Sequence, residues 1–147
     1  MKKHATAIWR GDHRAGEGTI STLSGVFDNS IYTAGNTAMG VPCTNPAEIL
    51  AAAEAACISM MVAKELGKER IISDHIETTS QIVLAPDGES WDIPRIHVTV
   101  KAHVPEIDAK RFEAAVKRAK DHCPITRSLK AEVTLEIVVE SAAMAAV

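Results

Sequence analysis

Three cysteines carry the most distinctive chemistry in this 147-residue chain. Cys123 precedes Pro124, a residue suited to the first position of a helix, so Cys123 is predicted to be a helix N-cap. Unpaired backbone N–H groups at a helix N-terminus stabilise a thiolate. Cys57 instead falls within an alanine-rich segment, where an unreactive core residue is the ordinary expectation. On position alone, Cys123 is therefore the more reactive thiol.

The hydrophobic pattern predicts that these two cysteines face the same core. Cys123 ends the apolar stripe of a helix predicted to begin at Asp108, and Cys57 lies on a predicted buried helix. One thiolate to attack and a second thiol to resolve are the minimum requirement for thiol redox chemistry. Cys43 lies in an irregular loop and is expected to be a spare thiol near the surface. Three cysteines without a C-x-x-C motif do not indicate a disulfide scaffold.

Other catalytic and cofactor motifs are absent from the sequence. There is no G-x-S-x-G nucleophile motif, no G-x-G-x-x-G fingerprint and no phosphate-binding loop. Among six histidines, only His122 adjoins a cysteine, and neighbours at a helix start point in different directions. We therefore expect neither a metal site nor a cofactor.

The helix that carries Cys57 has well-marked ends. Thr44 or Asn45 can cap it, Pro46 fits its first position, and Glu48 lies near its positive end. It is predicted to run to about Leu66, with Gly67 ending it. Apolar residues cover nearly its whole circumference, which is typical of a helix buried on every side. So small a chain can hardly bury such a helix alone, so we expect a homodimer with this helix at or near the interface.

The remaining elements predict a single α+β domain, residues 1–147, of order βββ-α-ββ-α-β. A hairpin interrupted by glycines 11–18 comes first, then a short strand near Ile31. Alternating runs at 72–84 and 96–104 are joined through the turn 86–88. An amphipathic helix from Asp108, a short helix at 124–129 and a strand at 132–140 complete the chain.

Charge and hydropathy narrow the class of partner. A net charge of −3 gives no attraction for nucleic acid. The longest apolar-rich run, residues 49–63, is interrupted by Glu54 and Ser59 and is shorter than the roughly 20 residues of a bilayer span, so no membrane partner is expected. No apolar segment follows the first charged residues, which favours a cytoplasmic location.

Two motifs resemble the OsmC/Ohr family of osmotically inducible and organic hydroperoxide resistance proteins. They are N-P-A-E-I-L-A-A-A-E-A-A-C at residues 45–57 and C-P-I-T at residues 123–126, with the segment 129–135 that follows. The N-terminal region is similar to the OsmC branch at Trp9, Gly11, Asp12, Gly18, Thr19, Ser21 and Thr22.

The resemblance implies an intertwined α+β homodimer with buried central helices and two active sites at the subunit interface. It implies a cysteine-based peroxidase that reduces organic hydroperoxides to alcohols in oxidative or osmotic stress defence. Cys57 is then the peroxidatic cysteine and Cys123 the resolving one, the reverse of the order that the N-cap argument gives. A dithiol or a lipoylated protein would reopen the disulfide.

Two positions depart from the family pattern. Ala47 stands where the family has a glutamate, and Glu48 matches only the second acid of N-P-E-E. The loop that supplies an arginine in the OsmC branch has Thr37 and Ala38 here. Arg14, on a turn flanked by glycines, is the preferred replacement, and Arg127 is the second candidate. These departures favour an alternative function, a non-peroxidase stress protein that binds a small apolar ligand at the dimer interface.

Overall fold

The computed structural model describes residues 1–35, 37–38, 40–104 and 108–140. The described residues divide into two compact units, one up to Leu50 and one from Ala51 onward.

The first unit is built on a three-stranded antiparallel sheet. Strands β1 (Ala5–Arg10), β2 (Glu17–Thr22) and β3 (Ser30–Tyr32) lie in that order. The turn between β1 and β2 is closed by Asp12, whose Oδ1 accepts hydrogen bonds from the amides of Arg14 and Ala15 at 2.7 and 2.9 Å. The predicted hairpin and the strand near Ile31 are thus confirmed. The segment predicted to be an irregular loop contains two short antiparallel strands, β4 (Thr37–Ala38) and β5 (Val41–Pro42).

Helix α1 (Pro46–Lys68) runs from the first unit into the second. Asn45 is its cap, because the Asn45 Oδ1 accepts a hydrogen bond from the Glu48 amide at 3.0 Å. The helix ends two residues later than predicted, since Gly67 remains helical. Arg70 adopts the left-handed conformation instead, with φ 58°, and the Ile71 amide returns to the Leu66 carbonyl at 3.1 Å.

The second unit is a three-stranded sheet with helices. Strands β6 (His75–Asp87) and β7 (Ser90–His103) form an antiparallel hairpin, and β8 (Glu132–Glu140) pairs with β7 in parallel. Between β7 and β8 come α2 (Ala109–His122) and the short α3 (Pro124–Ser128). The order and the α+β class are as predicted, and α3 is the short helix predicted at 124–129. The short strands β4 and β5 are additional elements.

The core of this unit lies between β7, α1 and α2. Alternate residues of β7 face it, as the period of two predicts, and the predicted apolar stripe of α2 packs there. Asp108 is the N-cap of α2, accepting from the Arg111 amide at 3.0 Å. The fully buried hydrophobic residues among those described are Ile58, Val62, Ile96, Val98, Val100, Ala102, Phe112, Ala115, Val116, Ala119 and Cys123.

Within the single chain, α1 is not buried on every side. Its buried residues are Glu54, Ile58, Val62, Glu65 and Leu66, which fall on one face. Much of the remaining surface is small and apolar, and Ala52, Ala53, Ala56, Met60 and Ala63 are exposed. The expectation of a second copy covering this surface stays a prediction.

Helix α1 is also longer than the interrupted apolar run 49–63, the length of which predicts no membrane partner. Its 23 residues are enough, by length and composition alone, to cross a bilayer. One such helix is weak evidence, because the core helix of a water-soluble protein has the same length and composition.

Candidate redox site

The structure brings Cys57 and Cys123 together. Their Sγ atoms lie 2.8 Å apart, and both thiols are free. Cys123 is fully buried and Cys57 is partly buried. The S–S bond of a disulfide is about 2.05 Å long, so once one of the two sulfurs is oxidised only a small approach separates the pair from a disulfide.

The backbone around Cys123 explains how its side chain reaches α1. Cys123 is extended, with φ −67° and ψ 119°, between the end of α2 and the start of α3. Its amide bonds to the Lys120 carbonyl at 3.2 Å, and its carbonyl accepts from the Arg127 amide at 3.0 Å. The predicted N-cap position is confirmed, but the thiol does not cap α3. The sulfur contacts Cys57 instead.

The surroundings of Cys57 disfavour its thiolate. Burial, the hydrogen bond with Cys123 and the negative charge of Glu54 raise the pKa of Cys57 to about 11, although the Ile125 amide bonds to the sulfur and opposes this rise. A reaction that needs the Cys57 thiolate therefore needs a compensating positive charge.

Glu54 is a member of this site that sequence analysis missed. In the sequence Glu54 interrupts the apolar run 49–63, but its side chain is fully buried in the structure. The Glu54 Oε1 accepts a hydrogen bond from the Thr126 hydroxyl at 2.5 Å, while Oε2 has no partner among the described residues. The available signal was its spacing, since an acid three residues before Cys57 lies on the same helix face.

The three other predicted site residues, Arg14, Glu48 and Arg127, are exposed. Arg14 is exposed in the first unit, on the turn closed by Asp12. Glu48 is exposed in that unit too, and its Oε2 accepts from the Thr44 hydroxyl at 2.8 Å, so it contributes to the helix cap. Arg127 is exposed on α3 and forms no ion pair with any described residue. Cys43 is partly buried, 3.4 Å from the Thr33 hydroxyl.

An apolar pocket lies within the first unit. It has a volume of about 420 Å³ and is lined by Trp9, His13, Tyr32, Thr33, Ala34 and Pro46. The rings of Trp9 and Tyr32 lie with their centroids 5.6 Å apart. Such a lining suits an apolar ligand rather than a charged one.

Two histidines of the second unit form hydrogen bonds with side chains of neighbouring segments. The His97 Nδ1 lies 2.8 Å from the Thr134 hydroxyl, and the His103 Nδ1 lies 2.7 Å from the Asp74 carboxylate. Across the described ranges, no three His, Cys, Asp or Glu side chains converge as metal ligands.

A central helix with one thiol and a short helix with a second, set on a mixed sheet, define the chain as an α+β protein with a redox-capable cysteine pair. The chain belongs to the OsmC family, because the model of that family, described as OsmC-like protein, matches residues 38–138.

Known relatives extend the similarity to nearly the whole chain. Peroxiredoxin OsmC of Escherichia coli strain K12 is 37% identical over 141 residues, which cover 96% of this chain and 99% of the relative. The organic hydroperoxide resistance protein OhrB of Bacillus subtilis strain 168 is 28% identical over 82% of this chain and 87% of its own. A solved OsmC-like protein of unknown function from Vibrio cholerae superposes with a TM-score of 0.77 at 15% identity, covering 94% of this chain and 99% of that one, which shows a common fold.

Proposed function

We propose that this chain is a thiol-dependent peroxidase that reduces organic hydroperoxides to alcohols in stress defence. The observation that carries the proposal is the 2.8 Å separation of the Cys57 and Cys123 sulfurs. The names of the relatives, a peroxiredoxin and an organic hydroperoxide resistance protein, support the same activity. Both similarities span most of the chain, which also supports one OsmC-like domain over residues 1–147.

The reaction has three steps. The first two use the thiols of this chain and the peroxide, and the third needs an external reductant. The Cys57 thiolate attacks the peroxide oxygen, the O–O bond breaks, and the alkoxide takes a proton and leaves as alcohol. Cys57 becomes a sulfenic acid. The Cys123 sulfur then attacks the Cys57 sulfur, the S–O bond breaks, and the thiol proton leaves with the hydroxyl as water. An external dithiol or a lipoylated protein reduces the disulfide back to two thiols.

The first step needs a positive charge near Cys57, because its thiolate is disfavoured by burial and by Glu54. Arg14 is the proposed source, with Arg127 second. Their exposed positions leave both side chains unconstrained by burial. Glu48 is proposed to orient the arginine, as an acid near the start of α1.

A homodimer is part of the proposal, with the active sites at the subunit interface. The exposed small side chains of α1 support it, because alanine-rich faces allow helices to approach closely. We place this enzyme in the cytoplasm, where thiol reductants are available.

Steady-state peroxide consumption tests the proposal. Cumene hydroperoxide and hydrogen peroxide are compared with dithiothreitol as reductant. Wild-type protein is expected to consume cumene hydroperoxide faster, and Cys57→Ser to lose all turnover. Cys43→Ser is the matched control and should keep wild-type rates. Equal loss in Cys43→Ser and Cys57→Ser, or no turnover in the wild type, would contradict the proposal.

The apolar pocket of the first unit favours a second candidate function, the binding of a small apolar ligand without peroxidase activity. Trp9 lines the pocket, so a Trp91→Phe variant leaves one tryptophan to report on it. Saturable quenching by an aliphatic alcohol, together with absent peroxide turnover, would support this function. Turnover that depends on Cys57 would reject it.

A further inference from the structure

Glu54 is a buried carboxylate beside the thiol pair, and the proposed mechanism gives it no task. Its side chain has no exposed surface, and it lies three residues before Cys57 on α1. A carboxylate is rarely buried, because removing its charge from water is costly unless hydrogen bonds compensate. Its contacts therefore indicate what it does.

Three contacts join this part of α1 to the segment 123–126. The Cys123 sulfur lies 2.8 Å from the Cys57 sulfur, the Ile125 amide bonds to the Cys57 sulfur, and the Thr126 hydroxyl donates to the Glu54 Oε1 at 2.5 Å. The first two contacts change when the Cys57 sulfur is oxidised. The Glu54 to Thr126 hydrogen bond involves no sulfur, so oxidation of Cys57 removes neither its donor nor its acceptor.

Besides this hydrogen bond, helix α3 is held by the partly buried side chain of Ile125, which packs against the core. The helix has five residues, none of them fully buried, and the Cys123 thiol does not cap it. A helix this short is marginal on its own, since most helical stability in proteins comes from packing. A hydrogen bond from its first turn to a buried carboxylate is therefore a substantial part of what fixes Cys123.

We propose that Glu54 is a positioning residue for disulfide formation, holding the first turn of α3 through Thr126 so that Cys123 stays within reach of oxidised Cys57. The inference rests on the proposed function, because it concerns the second step of that mechanism. In that step the S–S bond forms, the S–O bond of the Cys57 sulfenic acid breaks, and water leaves. Glu54 neither gains nor loses a proton in it.

The geometry gives Glu54 two separable effects. One carboxyl oxygen anchors Thr126, while the other is buried without a partner among the described residues. The negative charge also acts on Cys57, whose other titratable neighbour at the site is Cys123. Glu54→Gln removes the charge but keeps a carbonyl oxygen that can accept from Thr126. Thr126→Val removes the anchor but keeps the charge.

The experiment measures how Cys57 sulfenic acid partitions between disulfide and trapping by dimedone. Each protein, in a Cys43→Ser background, receives one equivalent of cumene hydroperoxide, and the products are quantified by peptide mass spectrometry. Matched controls are Glu113→Gln on the exposed surface of α2 and Thr79→Val on the exposed surface of β6. A second readout is the pH midpoint of Cys57 alkylation.

Glu54→Ala and Thr126→Val are expected to lower the ratio of disulfide to dimedone adduct by about tenfold, as loss of a hydrogen bond to a charged group implies. Thr126→Ser restores the ratio, and Glu54→Gln keeps it within about twofold while lowering the alkylation midpoint. An unchanged ratio in both Glu54→Ala and Thr126→Val, or an equal loss in Glu54→Gln and Glu54→Ala, would overturn the inference while leaving the proposed function intact. No disulfide in the wild type would instead reject the proposed function.

Discussion

Replacing Cys123 by alanine should make Cys57 more acidic. The pKa of Cys57 is raised from 9.0 to about 11, by burial first and then by its hydrogen bond with Cys123. At a pH below 9, this higher pKa lowers the fraction of Cys57 present as thiolate about a hundredfold. The variant removes the hydrogen bond and the neighbouring charge but leaves the burial. We therefore expect the thiolate fraction to rise by between about threefold and thirtyfold at pH 8.

The assay is the rate of Cys57 alkylation by iodoacetamide at pH 8, in a Cys43→Ser background. Val116→Ala is the control, because it shortens a fully buried side chain of the same core and changes neither thiol. Its alkylation rate should match that of the parent protein. A rate in Cys123→Ala equal to that of the parent would refute the reasoning that the second thiol suppresses the Cys57 thiolate. Equal acceleration in Val116→Ala would assign the effect to loosened packing instead.

Three further predictions concern stability and assembly. The pKa of Cys57 is raised in the folded protein, so the contribution of this thiol to the free energy of unfolding is present below pH 9 and is lost as the pH rises towards 11. Urea titrations should show this loss in the parent protein and not in Cys57→Ala. The pKa of Glu65 is lowered by its hydrogen bonds with Lys68 and Arg118, so the contribution of Glu65 to the free energy of unfolding is present above pH 4.5 and is lost as the pH falls. Arg118→Met should therefore narrow the difference in the free energy of unfolding between pH 7 and pH 3. An unchanged difference would contradict this. Sedimentation at micromolar concentration should give a dimer, twice the 15.7 kDa chain, and a folded monomer would contradict the proposed covering of α1.

The elements of this fold were predictable because their signals are local. Alternation in β7, the stripe from Phe112 to Cys123 and the cap at Asn45 each depend on a few neighbouring residues. The end of α1 was not predictable in this way, because Gly67 stays helical and Arg70 adopts the left-handed conformation. Glycine is the usual residue in that conformation, so the pattern pointed to the wrong position.

The site was predictable only where a local pattern contained its information. The shared apolar faces of two helices place Cys57 and Cys123 in one core, and their sulfurs lie 2.8 Å apart. The role of Glu54 depends on Thr126, 72 positions away in the chain, and no periodicity within α1 reports that contact. The thiol of Cys123 also turns to Cys57 rather than to the α3 amides, a choice that tertiary packing makes.

The most direct test of the account is a peptide map of protein treated with one equivalent of cumene hydroperoxide and then alkylated. Cys57 and Cys123 are expected in one intramolecular disulfide, with Cys43 alkylated, because the Cys57 and Cys123 sulfurs lie 2.8 Å apart within one unit. Cys123→Ser should yield sulfenic or over-oxidised Cys57 instead of a disulfide. A main oxidised species that contains Cys43, or one in which Cys57 is unmodified, would contradict the account.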